Sequence, residues 1–226
     1  MAAIAGARAL YPQNENQNFT WLNFLILFGI CISFPLTMVI PQWASWESGP
    51  LERAQNLILL IGCWSALAAA KHLRLFSSKA LLAIAALFWL AFFGRETGWG
   101  AVFMPPSGMT EWGPKWTSKY LWYRPAVPYV VGAMAMLAAY WFVRYKVWSA
   151  ALVPLAREHA LPLFALAQFA LCMVLSTNAE GHGFYRLQNW YGTQVMVLEE
   201  LVEICGYLAL LLAQTMVLHH LRKQQR

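Results

Sequence analysis

The sequence contains no aspartate, so all ten of its acidic residues are glutamates. Charged residues make up only 12% of the chain, whereas a soluble domain carries roughly 25%. All four cysteines lie inside apolar runs and none has CxxC-type spacing, so we expect them to be packing residues. These absences argue against an ordinary soluble domain and against a cysteine-bound metal or a disulfide framework. The cysteines are Cys31, Cys63, Cys172 and Cys205.

Hydrophobic residues make up 60% of the 226 residues, and the mean hydropathy is +0.47. The predicted fold class is all-α, a polytopic membrane helical bundle of about six transmembrane helices, since a span needs roughly 20 apolar residues. One integral-membrane domain is expected to cover residues 1–226, with a polar N-terminal segment at 1–18. The predicted spans lie near 21–40, 51–70, 80–96, 127–143, 161–176 and 194–218.

Basic residues flank the predicted spans, a pattern that indicates topology and contact with lipid headgroups rather than nucleic-acid binding. They are concentrated after span 2, after span 4 and after span 6, which predicts that both termini are cytoplasmic. The connection between spans 3 and 4 is also basic and is the exception. The expected partner is the lipid bilayer, and both a homo-oligomer and a membrane-complex partner stay open.

This topology places most acidic residues on the non-cytoplasmic side, together with Arg95 and His182. An acidic site in the outer half of the bundle is therefore predicted without reference to any motif. The glutamates on that side are Glu47, Glu52, Glu96, Glu111, Glu180, Glu199, Glu200 and Glu203.

Span 6 begins with three glutamates, and ionisable groups within a span are costly and usually face the protein interior. Glu203 shares a helix face with Glu199 and with Glu200, and Tyr207 extends that face by one turn. Adjacent Glu199 and Glu200 diverge by about 100°, so we expect only one of them to point at a ligand beside Glu203. Glu52 and Glu96 are expected opposite.

Close carboxylates in a low dielectric share protons, pair with an arginine or bind a cation. The candidate catalytic residues and the candidate metal ligands are the same four, Glu96, His182, Glu200 and Glu203, although no HExxH-type spacing is present. No cofactor is indicated. The predicted ligand-binding residues are Glu52, Arg95, Glu96, Trp99, Glu199, Glu200, Glu203 and Tyr207.

Each feature also has a plainer structural interpretation. Arg95 and Glu96 can be a clamp between helices, since buried ion pairs are common without catalysis. Glu52 follows Pro50 at a helix start and can simply complement the positive helix end. The connection at 98–124 is rich in Trp and Tyr, which favours a loop or re-entrant segment on the membrane interface, over the acidic site.

Three short motifs contain most of these charged residues: Glu47-x-Gly49-x-x-Glu52, Arg95-Glu96-x-x-Trp99-Gly100 and Glu199-Glu200-x-x-Glu203. Together they resemble a pattern in uncharacterised bacterial multi-pass inner-membrane proteins. The resemblance implies a location in a bacterial inner membrane and a shared acidic site, and it brings no known activity. Zinc-dependent ceramidase-like hydrolases are not a match. They bind zinc with three histidines and also use Ser and Asp, whereas this sequence has no Asp and only His182 on the non-cytoplasmic side.

Three hypotheses follow, and the sequence does not decide whether the protein is an enzyme. In the first, the acidic site binds or transports protons, a cation, or a polar small molecule or lipid headgroup. In the second, the protein is a membrane-embedded, metal-dependent hydrolase or transferase acting on lipid-linked substrates. Glu200 or Glu203 would then be the base, His182 a ligand or acid, and Arg95 an anion anchor. In the third, it is a non-catalytic subunit of a membrane complex.

Overall fold

The structure is a computed structural model that describes residues 13–110, 113–183, 187 and 191–225. Most of the predicted polar segment, residues 1–12, and Glu111 lie outside the described residues. The described part forms a mostly helical bundle, as the composition predicts. Its helices are α1 (Gln13–Leu36), α2 (Pro50–His72), α3 (Phe76–Glu96), α4 (Val127–Arg144), α5 (Val153–Arg157), α6 (Leu163–Ala179) and α7 (Val195–Lys223).

Five of these helices, α1, α2, α3, α4 and α7, are long and apolar enough to cross a bilayer. The predicted fifth span corresponds to α6, which is also apolar but has only 17 residues. At about 1.5 Å per residue, α6 extends roughly 25 Å, which is at the short end of what spans a bilayer. The short helix α5 follows a π-helical turn at Trp148–Leu152.

Two helix boundaries show how local chemistry sets the elements. Helix α2 begins with Pro50 in its first turn, where the missing amide costs nothing, and Glu52 follows near the positive helix end. Helix α1 ends at Leu36, before the predicted limit of residue 40. The Thr37 hydroxyl there donates to the Phe34 carbonyl at 2.7 Å, and the backbone continues in turns rather than in the helix.

Helix α7 lies at the centre of the bundle and packs against α1, α2 and α6. Close approach depends on small residues: Gly206 of α7 lies directly against Cys172, and Gly62 of α2 lies directly against the Trp89 ring of α3. Helix α4 packs on α3 and has no buried residue. It is therefore the most peripheral of the five long helices.

The connection between α3 and α4 contains structure that the sequence analysis did not predict. Strands β1 (Gly108–Thr110) and β2 (Gly113–Lys115) form an antiparallel hairpin. Two side-chain hydrogen bonds link separate parts of this connection. Tyr123 donates to the Trp99 carbonyl at 2.8 Å, and Trp116 Nε1 donates to the Met104 carbonyl at 2.7 Å.

The long helices alternate in direction, and the two ends of the bundle differ in the charges that they carry. The end where α2 and α7 begin and where α3 and α6 end is called the acidic end. The basic end is the opposite one, where α2 and α4 end and α3 begins. The connection between α3 and α4 covers the acidic end.

Candidate functional site

A polar cavity of about 370 Å³ lies at the acidic end of the bundle. Helices α2, α3 and α7 form its wall, together with Glu180 just beyond α6, and the connection between α3 and α4 forms its cover. Among the described residues, seven carboxylates line it, and Arg95 is the one basic residue of this lining. The carboxylates belong to Glu47, Glu52, Glu96, Glu180, Glu199, Glu200 and Glu203.

The first turns of α7 distribute their three glutamates around the cavity. Glu200 accepts a hydrogen bond from Gln55 Nε2 of α2 at 2.7 Å, and the same nitrogen lies 3.1 Å from the Glu200 carbonyl. Glu199 instead lies beside Glu180, which follows α6. The angular divergence expected for adjacent residues is therefore present. Both side chains border the cavity, but they contact different partners there.

Of the three cavity glutamates that pair with Arg95, Glu203 is the most deeply buried, because only 4% of its side chain is exposed. Its Oε1 accepts from the Ser176 hydroxyl at 2.6 Å. One carboxylate oxygen each from Glu180, Glu199 and Glu203 lies within 4.8 Å of the other two. Three oxygens so placed can serve as ligands to one hard cation, because Ca²⁺ and Mg²⁺ prefer oxygen ligands.

Arg95 reaches three of the carboxylates from the last turn of α3. Its Nη1 lies 3.2 Å from Glu96 Oε1, and its Nη2 lies 3.0 Å from Glu180 Oε1 and 3.6 Å from Glu203 Oε1. Its side chain is 49% exposed, so the guanidinium lies at the mouth of the cavity rather than in its floor. A single positive charge thus serves several carboxylates.

Backbone amides hold the two glutamates that precede and begin α2. Glu47 Oε2 accepts from the Trp116 amide at 2.5 Å, which connects the cover of the cavity to the segment before α2. Glu52 Oε2 accepts from the Ser48 amide four residues earlier. The residues of the cover that line the cavity are Gly98, Ala101, Val102, Trp116, Thr117 and Ser118.

The structure brings together most of the predicted ligand-binding residues. Glu52, Arg95, Glu96, Glu199, Glu200 and Glu203 all line the cavity. Tyr207 lies behind it, fully buried, and donates to Glu96 Oε1 at 2.7 Å.

Two predicted residues are placed elsewhere. Trp99 does not line the cavity; its ring packs over Gly94, where a Cβ would lie 2.8 Å from the ring. The His182 side chain is exposed and is not among the lining residues, so this histidine contributes no ligand to the cavity. The carboxylate triplet therefore differs from the predicted metal-ligand set and shares only Glu203 with it.

Glu47, Glu180, Gln55 and Ser176 are site residues that the sequence reasoning did not select. The topology had placed Glu47 and Glu180 on the correct side, and their positions next to helix ends were the available signal. The two neutral donors carried no comparable signal, because a glutamine or a serine in a span is ordinarily a packing residue. Their roles depend on which helices become neighbours.

If every one of these carboxylates were ionised, the described residues would place seven negative charges and one positive charge around this cavity. Such an arrangement is strongly unfavourable unless protons or a bound cation compensate the charge. No family model, no curated protein and no solved structure matches this chain. Function is therefore inferred from the chemistry of the cavity.

Proposed function

We propose that the protein is a multi-pass membrane protein, with both termini cytoplasmic, whose acidic cavity binds a cation at the outer face of a bacterial inner membrane. The ligand is a metal cation or the positive group of a small molecule or lipid headgroup, and protons occupy the carboxylates in its absence. Transport across the membrane would follow if the cavity also opened toward the basic end.

The observation that carries this proposal is the imbalance of charge in one cavity, where the described lining residues supply seven carboxylates and one guanidinium. The feature of the cavity most typical of a cation site is a group of three carboxylate oxygens, all within 4.8 Å of one another. They belong to Glu180, Glu199 and Glu203. The half-exposed position of Arg95 also supports it, since a side chain at the mouth leaves the deeper carboxylates accessible to a ligand.

The test is binding of Mn²⁺, Ca²⁺ and tetramethylammonium to detergent-purified protein by calorimetry, with elemental analysis of the protein as isolated. The Glu203→Gln and Glu199→Gln variants should lose binding, whereas Glu158→Gln should not. Glu158 lies near the basic end, where its Oε2 is 2.5 Å from His220 Nε2. No binding of any of the three probes to folded protein would reject the proposal.

A membrane-embedded, metal-dependent hydrolase or transferase is the second candidate. The same carboxylate triplet favours it, because a metal held there could activate a water with Glu200 nearby as a base. Stoichiometric metal together with turnover of a lipid-linked phosphoester would distinguish this candidate from simple binding. A subunit role is a third candidate, and the lack of buried residues on α4 favours it.

A further inference from the structure

A second cleft lies at the basic end of the bundle, with a volume of about 760 Å³. The cleft is lined by α2, α3 and α4, with α3 between the other two helices. Its floor is apolar. Trp64 of α2 and Trp141 of α4 stand on its two sides, with Ala68 and Ala83 between them. Lys71 and Lys79 are the strongly basic residues of its lining, and no carboxylate is among its lining residues.

Aromatic rings of the cleft lie against two positive charges at this end of the bundle, those of Lys79 and Arg144. Phe76 and Tyr145 stack with ring centroids 6.1 Å apart and an interplanar angle of 14°. Lys79 Nζ lies 5.6 Å from the Phe76 centroid, and Arg144 Cζ lies 5.9 Å from the Tyr145 centroid. Such contacts orient a cation without neutralising it. Within the described part of the chain, neither Lys71, Lys79 nor Arg144 forms an ion pair.

We propose that this cleft binds an anionic phospholipid, with its phosphate at Lys71 and Lys79 and one acyl chain on the apolar floor between Trp64 and Trp141. The charges are complementary, and basic pockets between transmembrane helices are suited to acidic headgroups. A phospholipid can contact both the lysines, through its phosphate, and the apolar floor, through an acyl chain, whereas a free phosphate can contact only the lysines.

The position of the cleft along the bundle fits a headgroup at the membrane surface. Lys71 is in the last turn of α2 and Lys79 in the first turn of α3, which places both at the level where a span leaves the hydrocarbon. Arg95 is the first residue of α3 that lines the acidic cavity, and it lies 16 residues, or about 24 Å, along the helix from Lys79. The lipid site requires that these helices cross a bilayer, but it does not depend on what the acidic cavity binds.

Lysines at the ends of spans also orient a membrane protein, so the test must separate a specific site from a general basic surface. The measurement is native mass spectrometry of detergent-purified protein titrated with phosphatidylglycerol, with phosphatidylcholine and inorganic phosphate as the comparison probes. The charge variants are Lys71→Gln and Lys79→Gln. The matched control is Arg157→Gln, which removes an exposed positive charge at the same end but outside the cleft.

We expect bound phosphatidylglycerol in preference to phosphatidylcholine, and no stable adduct with inorganic phosphate. Each lysine variant should weaken phosphatidylglycerol binding about fivefold, the equivalent of about 1 kcal/mol for one basic residue near a membrane surface. The control should bind as the wild type does. A fourth variant, Ala83→Trp, fills the floor without changing any charge and should also reduce lipid binding.

Three results would overturn the proposal. One is an equal loss in Arg157→Gln and in the lysine variants, which would mean that the general basic surface attracts the lipid. Another is unchanged binding in Ala83→Trp, which would mean that the floor holds no acyl chain. The third is binding of inorganic phosphate as tight as that of phosphatidylglycerol. Thermal unfolding of each variant in phosphatidylcholine verifies that the protein is folded before its binding is compared.

Discussion

The Tyr207 hydroxyl donates a 2.7 Å hydrogen bond to Glu96 Oε1 and thereby joins the interior of α7 to the last turn of α3. Tyr207 is fully buried, and the same Glu96 oxygen lies 3.2 Å from Arg95 Nη1. The carboxylate of Glu96 is therefore held by a hydroxyl from inside the bundle and by a guanidinium at the cavity mouth. This contact fixes the relative position of two helices that carry cavity carboxylates.

The Tyr207→Phe variant should be less stable than the wild type. It removes the donor while leaving a largely buried acceptor, a change that typically costs about 1–3 kcal/mol. Thermal unfolding in detergent measures the effect. The control is Tyr140→Phe on α4, whose side chain is 58% exposed and which should unfold at the wild-type temperature. Equal stability of the two variants would show that the hydrogen bond to Glu96 contributes nothing.

Replacement of Gly62 by alanine should separate α2 from α3. A Cβ at Gly62 would overlap the Trp89 ring, and that ring is also fixed by a 2.6 Å hydrogen bond from Trp89 Nε1 to Gln214 Oε1. Overpacking of this kind costs about 1–3 kcal/mol. In α4, a Cβ at Gly132 would meet nothing within 4 Å, so Gly132→Ala is the matched control. It should be neutral or stabilising by up to about 1 kcal/mol, since alanine favours a helix more than glycine does. A Gly62→Ala variant as stable as Gly132→Ala would contradict the close packing.

The sequence was sufficient to predict the helices and the side of the bundle on which the acids meet. Long apolar runs and the distribution of basic residues carry that information, and the placement of Arg95 and Glu96 in the last turn of α3 agrees with it. Side-chain direction outside the helices was much less predictable. His182 and Trp99 lie in glycine-rich turns. Helical periodicity does not apply there, so it cannot predict the direction of a side chain. Both of them lie outside the cavity lining.

The hairpin in the connection between α3 and α4 was missed for a related reason. Each strand has only three residues, too few to show an alternating pattern. The contact between Glu47 and the Trp116 amide joins residues 69 positions apart and has no local signature. Such a contact follows from tertiary packing alone. The cover could be located from its aromatic composition, but its hydrogen bonds could not.

Substitution of Arg95 distinguishes a cation site from an anion site. Arg95→Gln removes the one basic residue of the lining, which lies within 4 Å of two members of the carboxylate triplet, Glu180 and Glu203. A Mn²⁺ ion bound by these carboxylates would lie close to the guanidinium. Two positive charges about 4 Å apart repel by several kcal/mol at an effective dielectric constant of about 20. Mn²⁺ affinity should therefore rise about tenfold or more in Arg95→Gln and change little in the charge-conserving Arg95→Lys. Calorimetric titration of the three proteins gives the comparison. A weaker affinity in folded Arg95→Gln would mean that Arg95 helps to bind the ligand, as an anion anchor of an enzyme would.

Neighbouring glutamates of α7 offer the sharpest test of geometry against total charge. Glu199 has an oxygen within 4.8 Å of both Glu180 and Glu203, whereas Glu200 is directed to Gln55 of α2. The variants Glu199→Gln and Glu200→Gln remove the same formal charge from the same cavity, one residue apart. If the triplet is the cation site, Glu199→Gln should weaken Mn²⁺ binding about tenfold or more, because a carboxylate is a far better ligand for a hard cation than an amide. Glu200→Gln should have a clearly smaller effect, since it alters only the surrounding field. The electron paramagnetic resonance signal of free Mn²⁺, followed during titration of each variant, measures both affinities. Equal losses in the two variants would indicate that the cavity attracts cations through its total charge and that no particular group of carboxylates binds them.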